Sequence, residues 1–211
     1  MMGGAKRWLE RSGPASRGRT GGDGRRGYRK GMPAHDTAPH VAEPPSHAAG
    51  LMYGIGLGGF VDGIVLHQLL QWHHMVSATG DHPVTTVAGL EVNTLADGFF
   101  HVFSWLVVVG ASVVTLAQWR QGRLPPSWRF HLGGVLAGWG AFNLVEGLVD
   151  HQLLGVHHVR DDLGGPLAWD LGFLALGAVL VLVGWLVSRS GARVLEDRSW
   201  TPTAVAGDGG A

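Results

Sequence analysis

The chain has 211 residues, of which 15% are charged and 45% are hydrophobic, and its formal net charge is zero. Soluble domains contain about 25% charged residues, so this composition is unusual for one, and the balanced charge argues against a nucleic-acid partner. The absence of cysteine excludes disulfides, thiolate metal sites and cysteine nucleophiles. Any metal site must therefore use imidazole, carboxylate or, more weakly, thioether ligands.

The N-terminal stretch, residues 1–46, differs from the rest of the chain. Nine Lys and Arg residues lie within its first 30 positions, and Gly, Pro and Ser are frequent. Hydrophobic periodicity is missing throughout it. We predict a disordered, basic cytoplasmic tail.

Four apolar segments follow, at about residues 49–71, 95–119, 131–154 and 166–187. Each has about the 20 residues that a helix needs to cross the hydrocarbon layer. A soluble helical bundle is disfavoured, because the second and fourth segments have no polar face. The sequence therefore predicts an all-α, polytopic membrane protein with four transmembrane helices.

The distribution of Lys and Arg between the loops predicts the orientation of the helices. The tail before the first segment is strongly basic, and Arg120, Arg123 and Arg129 lie between the second and third segments. The loop at residues 72–94 has no Lys or Arg. Since cytoplasmic loops are enriched in these residues, we expect both termini in the cytoplasm and the first and third loops outside. The bacterial cytoplasmic membrane is the expected location.

Residues 61–74 recur 84 positions later as residues 145–158. The matched positions are His67, Gln68, Leu69, Leu70, His73 and His74 with His151, Gln152, Leu153, Leu154, His157 and His158, and Asp62 with Glu146. Such an offset predicts two related halves. We expect the transmembrane domain at residues 47–190 to consist of two tandem helix pairs, 47–119 and 131–188, followed by a disordered tail at 191–211.

Ionisable residues concentrate toward the outer ends of all four segments. Charged groups within a span are costly and are expected to face the bundle interior. Positions seven apart on an α-helix face nearly the same way, so His67 and His74 share a face if the helix continues through the double histidine. We predict a metal cluster whose candidate ligands are His67, His73, His74, His101, His151, His157 and His158, with Asp62, Glu146, Asp97 and Asp170 as further ligands or as partners of the histidines.

Two motifs resemble a known family. Residues 58–74 have the sequence GGFVDGIVLHQLLQWHH, and residues 97–101 have DGFFH. Both resemble a family of bacterial predicted membrane proteins classified as a domain of unknown function, over about residues 48–190. The resemblance implies a four-span inner-membrane protein and implies no activity, cofactor or catalytic residue.

Three functions are consistent with the sequence. The favoured one is a transition-metal-binding membrane protein, with copper ahead of zinc or iron, that handles metal for a respiratory oxidase or its assembly factors or performs redox chemistry. The first alternative is an electron-transfer protein with haem b between His67 and His151. The second is a metal-free proton relay of His and Asp. Glycine-rich helix faces also permit a homodimer.

Overall fold

The computed structural model of the protein describes residues 45–197, and all regular structure in this part of the chain is helical. The α-helices are α1 (Ala48–Val61), α2 (Val87–Arg120), α3 (Trp128–Glu146) and α4 (Leu167–Asp197). Two π-helical segments, Asp62–Leu69 and Gly147–Leu154, continue α1 and α3, and a 3₁₀ helix, Asp161–Leu163, precedes α4. The all-α class is thus confirmed. Most of the predicted basic tail, residues 1–44, and residues 198–211 lie outside the described residues.

Four helical stretches in the described chain are long and apolar enough to cross a membrane, as predicted. They are Ala48–Leu69, Val87–Arg120, Trp128–Leu154 and Leu167–Leu195. Two differ from expectation at their ends: α2 begins eight residues earlier than position 95, at Val87, and α4 continues to Asp197, into the predicted C-terminal tail. The hydroxyl of Thr86 caps α2 by accepting a hydrogen bond from the Gly89 N–H at 3.1 Å, which accounts for the early start.

The bundle has an apolar surface and a polar interior. Phe99 and Trp105 are 69% and 55% exposed on α2, whereas His67 and His157 are fully buried. In water, so much exposed aromatic surface would favour aggregation. In lipid the same surface is solvated, and the polar groups are satisfied inside the bundle.

Helices α1 and α3 form the centre of the bundle and pack through glycines. Gly50 lies against Gly134, and Gly54 lies against Gly138 one turn further along both helices, so the two helices run in the same direction. A Cβ atom at Gly54 would collide with the carbonyl oxygen of Val135, and the backbones can approach this closely because both positions lack a side chain.

Helices α2 and α4 lie on opposite flanks of this central pair. Gly56 of α1 packs against Ser104 and Val108 of α2, and Gly140 of α3 packs against Gly177 and Val181 of α4. Gly56 and Gly140 are 84 residues apart. The order across the bundle is therefore α2, α1, α3, α4.

Neither helix continues through its double histidine. The condition under which His67 and His74 would share a helix face is therefore not met. The π-helical segments end at Leu69 and Leu154. Gln71, with φ of 50°, and Gly155, with φ of 58°, then adopt the left-handed conformation that terminates a helix. The histidine pairs consequently lie in the loops, folded back over the ends of the bundle.

Candidate metal centre

The π-helical segments bring an acidic residue and a histidine together. Asp62 and His67 are five positions apart, as are Glu146 and His151. In an α-helix such residues point about 140° apart, whereas the i to i+5 hydrogen bonding of a π-helix places them one above the other. His67 Nε2 lies 3.1 Å from Asp62 Oδ2, and His151 Nε2 lies 2.9 Å from Glu146 Oε1.

The carboxylate of Asp97, on α2, anchors the first half of the site. Its Oδ1 accepts hydrogen bonds from His67 Nδ1 at 2.9 Å and from the Met75 N–H at 3.0 Å. Its Oδ2 accepts from His74 Nδ1 at 2.6 Å and from Gln68 Nε2 at 3.0 Å. With four donors around it, Asp97 fixes the ring of His67 and the loop that follows.

Asp170, on α4, has the corresponding position in the second half. Its Oδ2 accepts hydrogen bonds from His158 Nδ1 at 2.7 Å and from Gln152 Nε2 at 3.2 Å, and its Oδ1 accepts from the Val159 N–H at 3.0 Å. The distance from Oδ1 to His151 Nδ1 is 3.6 Å, too long for a hydrogen bond. His151 is therefore held less tightly than His67.

The two histidine loops cross over the centre of the bundle. His73 Nδ1 donates a hydrogen bond to the carbonyl oxygen of Val159 at 3.0 Å, and His157 Nδ1 donates to that of Met75 at 3.1 Å. A carbonyl oxygen can only accept, so Nδ1 of each ring has the hydrogen. Nε2 of His73 has no hydrogen-bond partner, whereas Nε2 of His157 lies 2.8 Å from Glu146 Oε1 in hydrogen-bond geometry. The two rings stack at 4.7 Å with an interplanar angle of 4°.

Backbone hydrogen bonds hold the same crossing together. The Ala78 N–H donates to the Val156 carbonyl at 3.1 Å, and the Asp162 N–H donates to the Trp72 carbonyl at 3.2 Å. Positions 78 and 162 are 84 apart, as are 72 and 156. Each loop is thus fixed by the other half of the chain.

Several polar atoms in the interior of the cluster have no hydrogen-bond partner. Although His67 and His151 approach Asp62 and Glu146 closely, the alignment is not that of a hydrogen bond. Unpaired buried polar atoms are rare and costly, and they require a physical explanation. Those at this site are both carboxylate oxygens of Asp62, His67 Nε2, His73 Nε2, Glu146 Oε2 and both ring nitrogens of His151.

The protonation of His73 suits a ligand. Burial, together with the neighbouring rings of His157 and His67, lowers its pKa to about 2, so the imidazole is neutral at physiological pH. Its Nε2 lone pair is therefore available inside the cluster. Metal-binding histidines commonly donate their second ring N–H to a carbonyl or carboxylate in this way.

Two groups of side chains in the described residues could hold a metal ion. The larger consists of His73, Glu146, His151 and His157, and the smaller of Asp62, His67 and His73. Within each group the ligand atoms lie within 4.8 Å of one another, and all these residues are buried. His73 belongs to both groups.

The other residues predicted from the sequence lie around these groups. His74 and His158 contact the carboxylates of Asp97 and Asp170 and belong to neither ligand group. His101 donates through Nδ1 to the Asp97 carbonyl at 2.8 Å, packs over Gly63 and belongs to neither ligand group.

The sequence analysis overlooked three features of the site: the π-helical segments, the carbonyl partners of His73 and His157, and the bridge between Ser77 and Asp161. The bridge joins positions 84 apart whose side chains differ, so identity within the repeat could not reveal it. Backbone partners have no sequence signal at all.

The comparisons with known proteins identify the family of the chain. The family model described as predicted membrane protein (DUF2243) matches residues 49–191, so the chain belongs to this family of predicted membrane proteins of unknown function. No curated protein and no solved structure matches the chain. The family agrees with the four spans, and an assignment of function has to come from the site itself.

Proposed function

We propose that the protein holds one transition-metal ion per chain in the outer half of the bundle, through His73, Glu146, His151 and His157. The supporting observation is the convergence of buried imidazole and carboxylate groups, in which His73 Nε2, Glu146 Oε2 and both ring nitrogens of His151 have no hydrogen-bond partner. Leaving such groups unpaired costs about 1–3 kcal/mol each, and more when they are charged. A bound cation removes this cost by using the free lone pairs.

The stoichiometry follows from His73. Its Nδ1 donates to the Val159 carbonyl, so only Nε2 can bind a metal. One lone pair serves one ion, and the two ligand groups cannot both be complete at the same time. The larger group supplies three imidazoles and a carboxylate, which leaves Asp62 and His67 as a neighbouring pair.

The donor atoms restrict the metal. Imidazole nitrogen and carboxylate oxygen suit divalent zinc, iron and copper, whereas Cu(I) prefers sulfur ligands. Copper, which the sequence favours, therefore enters the proposal as Cu(II) beside zinc and iron. Metal handling or redox chemistry next to a respiratory oxidase stays a prediction from the sequence.

The packing of the rings argues against haem between His67 and His151. The His73 ring lies 4.5 Å from that of His67, and the His157 ring lies 4.8 Å from that of His151. A porphyrin between the two axial candidates would have to displace both intervening rings. The space between them is already occupied by imidazole.

Elemental analysis and a visible spectrum of the detergent-purified protein test the proposal. We expect one metal ion per chain in the wild type, its loss in His151→Gln, and its retention in His67→Gln, since His67 lies outside the larger group. His82→Gln is the matched control, because His82 belongs to neither ligand group.

Other outcomes assign the site differently. Equal loss of metal in His67→Gln and His151→Gln would mean that both histidines bind the ion at a shared position. A Soret band would restore the haem alternative. Protein that is colourless and metal-free after expression in metal-supplemented medium would overturn the proposal and favour a proton relay.

A further inference from the structure

A cavity of about 420 Å³ lies beside the candidate metal centre, between the first π-helical segment and α4. Trp72, Trp139, Trp169 and Phe173 provide aromatic walls. Ligand pockets in proteins are commonly apolar cavities of this size with a few polar groups. The rim includes Val61 and Leu176, which are 38% and 49% exposed within the membrane-spanning parts of α1 and α4, so the cavity opens toward lipid.

Two polar side chains line this cavity. Asp62 is 4% exposed, and neither of its carboxylate oxygens has a hydrogen-bond partner. Asn143 is 2% exposed, and its side-chain amide takes part in none of the hydrogen bonds found among residues 45–197. Asp62 Oδ2 does lie 3.1 Å from His67 Nε2, but without the alignment of a hydrogen bond. A buried carboxylate and a buried amide that both lack a hydrogen bond at one cavity indicate a missing polar partner.

The aqueous end of the cavity is covered by an ordered cluster. The rings of Trp72 and Trp169 meet edge to face at 5.5 Å. The Arg160 guanidinium lies 4.4 Å and 5.1 Å from their centroids and is held by Asp162 at 2.7 Å. These contacts fix the two tryptophans, which leaves the lipid-facing side as the way in.

Three residues that line the cavity are not repeated at the equivalent positions of the other half. Eighty-four positions away, Trp72 is matched by Val156, whereas Trp139 and Asn143 are matched by Ile55 and Gly59. The helices pack through glycines in both halves, so packing alone does not require the large side chains. These three side chains therefore distinguish the cavity from the equivalent site of the other half.

We propose that the cavity binds a membrane-soluble phenol or hydroquinone, whose hydroxyl donates a hydrogen bond to the Asp62 carboxylate. A carboxylate can only accept, so the ligand must supply the hydrogen, and tryptophan walls favour a planar ring. The idea that the bound molecule is a substrate of the metal centre rests on the proposed function. Binding of the aromatic ring in the cavity does not require the metal ion.

Binding is measured by tryptophan fluorescence of the detergent-purified, full-length protein. The probe is decyl-substituted benzohydroquinone kept reduced under nitrogen, and it is compared with its dimethyl ether, which cannot donate. We expect the ether to bind at least about tenfold more weakly, since its binding would leave the carboxylate unpaired.

The matched variants are Gly172→Leu and Gly98→Leu. Gly172 lines the cavity, and Gly98 lies on the lipid-facing surface of α2; a Cβ at either position meets no atom within 4 Å. Leucine at 172 should fill the cavity and weaken binding of the probe by about tenfold or more. Leucine at 98 should leave probe binding unchanged.

Metal content determined on the same samples separates this inference from the proposed function. Wild-type protein that contains metal but does not bind the probe overturns the cavity assignment alone. Metal-free protein that binds the hydroquinone overturns the metal proposal alone. Equal affinity for the ether, or equal effects of the two leucine variants, would mean that the probe is not recognised in this cavity through Asp62.

Discussion

Replacement of Glu146 by Gln should change the stability of the protein in opposite directions with and without metal. Glu146 Oε1 lies 2.9 Å from His151 Nε2 and 2.8 Å from His157 Nε2, and Oε2 has no partner. The contact with His157 has hydrogen-bond geometry. If the His157 ring is neutral, its Nδ1 hydrogen is donated to the Met75 carbonyl, and the Nε2 lone pair faces the carboxylate oxygen. A glutamine N–H₂ can donate to that lone pair, whereas the carboxylate cannot.

The magnitudes can be estimated from this geometry. The amide donor, together with the removal of a buried charge whose Oε2 has no partner, should stabilise the metal-free Glu146→Gln protein by about 1 kcal/mol. Loss of a ligand should weaken metal binding at least as much as loss of an outer partner, about 100-fold. At a metal concentration of 100 times the wild-type Kd, the ion stabilises the wild type by about 2.7 kcal/mol and the variant by about 0.4 kcal/mol.

Thermal denaturation in detergent measures both effects. In chelator, Glu146→Gln should melt above the wild type. At a metal concentration of 100 times the wild-type Kd it should melt below the wild type, by an amount equivalent to about 1.3 kcal/mol. Glu91→Gln is the control, since Glu91 is exposed on α2 and should behave as wild type under both conditions.

One result would refute this reasoning. If Glu146→Gln is destabilised in chelator and responds to metal as the wild type does, the carboxylate is a structural partner of protonated histidines. The buried charges would then be paired by protons, and the site would not need a cation.

Three further predictions concern the fold and its orientation. Gly138→Ala should destabilise the protein by about 1–3 kcal/mol, because its Cβ would meet the backbone of α1; Gly172→Ala, with open space around it, should be neutral or stabilising in the same melting assay. Gly155→Ala should lower stability by about 1 kcal/mol through backbone strain alone, since its φ is 58° and its Cβ would be free of contacts; an unchanged melting temperature would contradict the left-handed turn. In this cysteine-free chain, Gly80→Cys should react with a membrane-impermeant maleimide on intact cells and Gln121→Cys only after permeabilisation, whereas the reverse pattern would invert the topology.

The four spans could be predicted from the sequence because their signal is local. Each is a run of apolar residues long enough to cross a bilayer, and no distant contact is needed to recognise it. The close packing of α1 and α3 also has a local signal in the sequence, since small residues at helical spacing indicate close backbone approach in lipid. The family assignment from the motif at residues 58–74 is confirmed by the match to residues 49–191.

The boundaries were less predictable. Helix α2 starts at Val87 because Thr86 caps it, and the histidine pairs leave the helices because Gln71 and Gly155 reverse the chain. A glutamine in the left-handed conformation has no sequence signal, since most non-glycine residues avoid that region. Within the repeat, however, Gln71 is equivalent to Gly155, and a glycine at the equivalent position does indicate a left-handed turn.

The residue types at the site were determined by the sequence, and their roles were decided by the tertiary structure. Six histidines of the repeated segment divide into rings that face the interior and rings that hold outer carboxylates, yet His73 and His74 are neighbours in the chain. The division depends on Val159 and Met75, whose carbonyls come from the opposite loop more than 80 residues away. Local sequence specifies which donors are available, but only the packing of two distant loops specifies which nitrogen of each ring is left free.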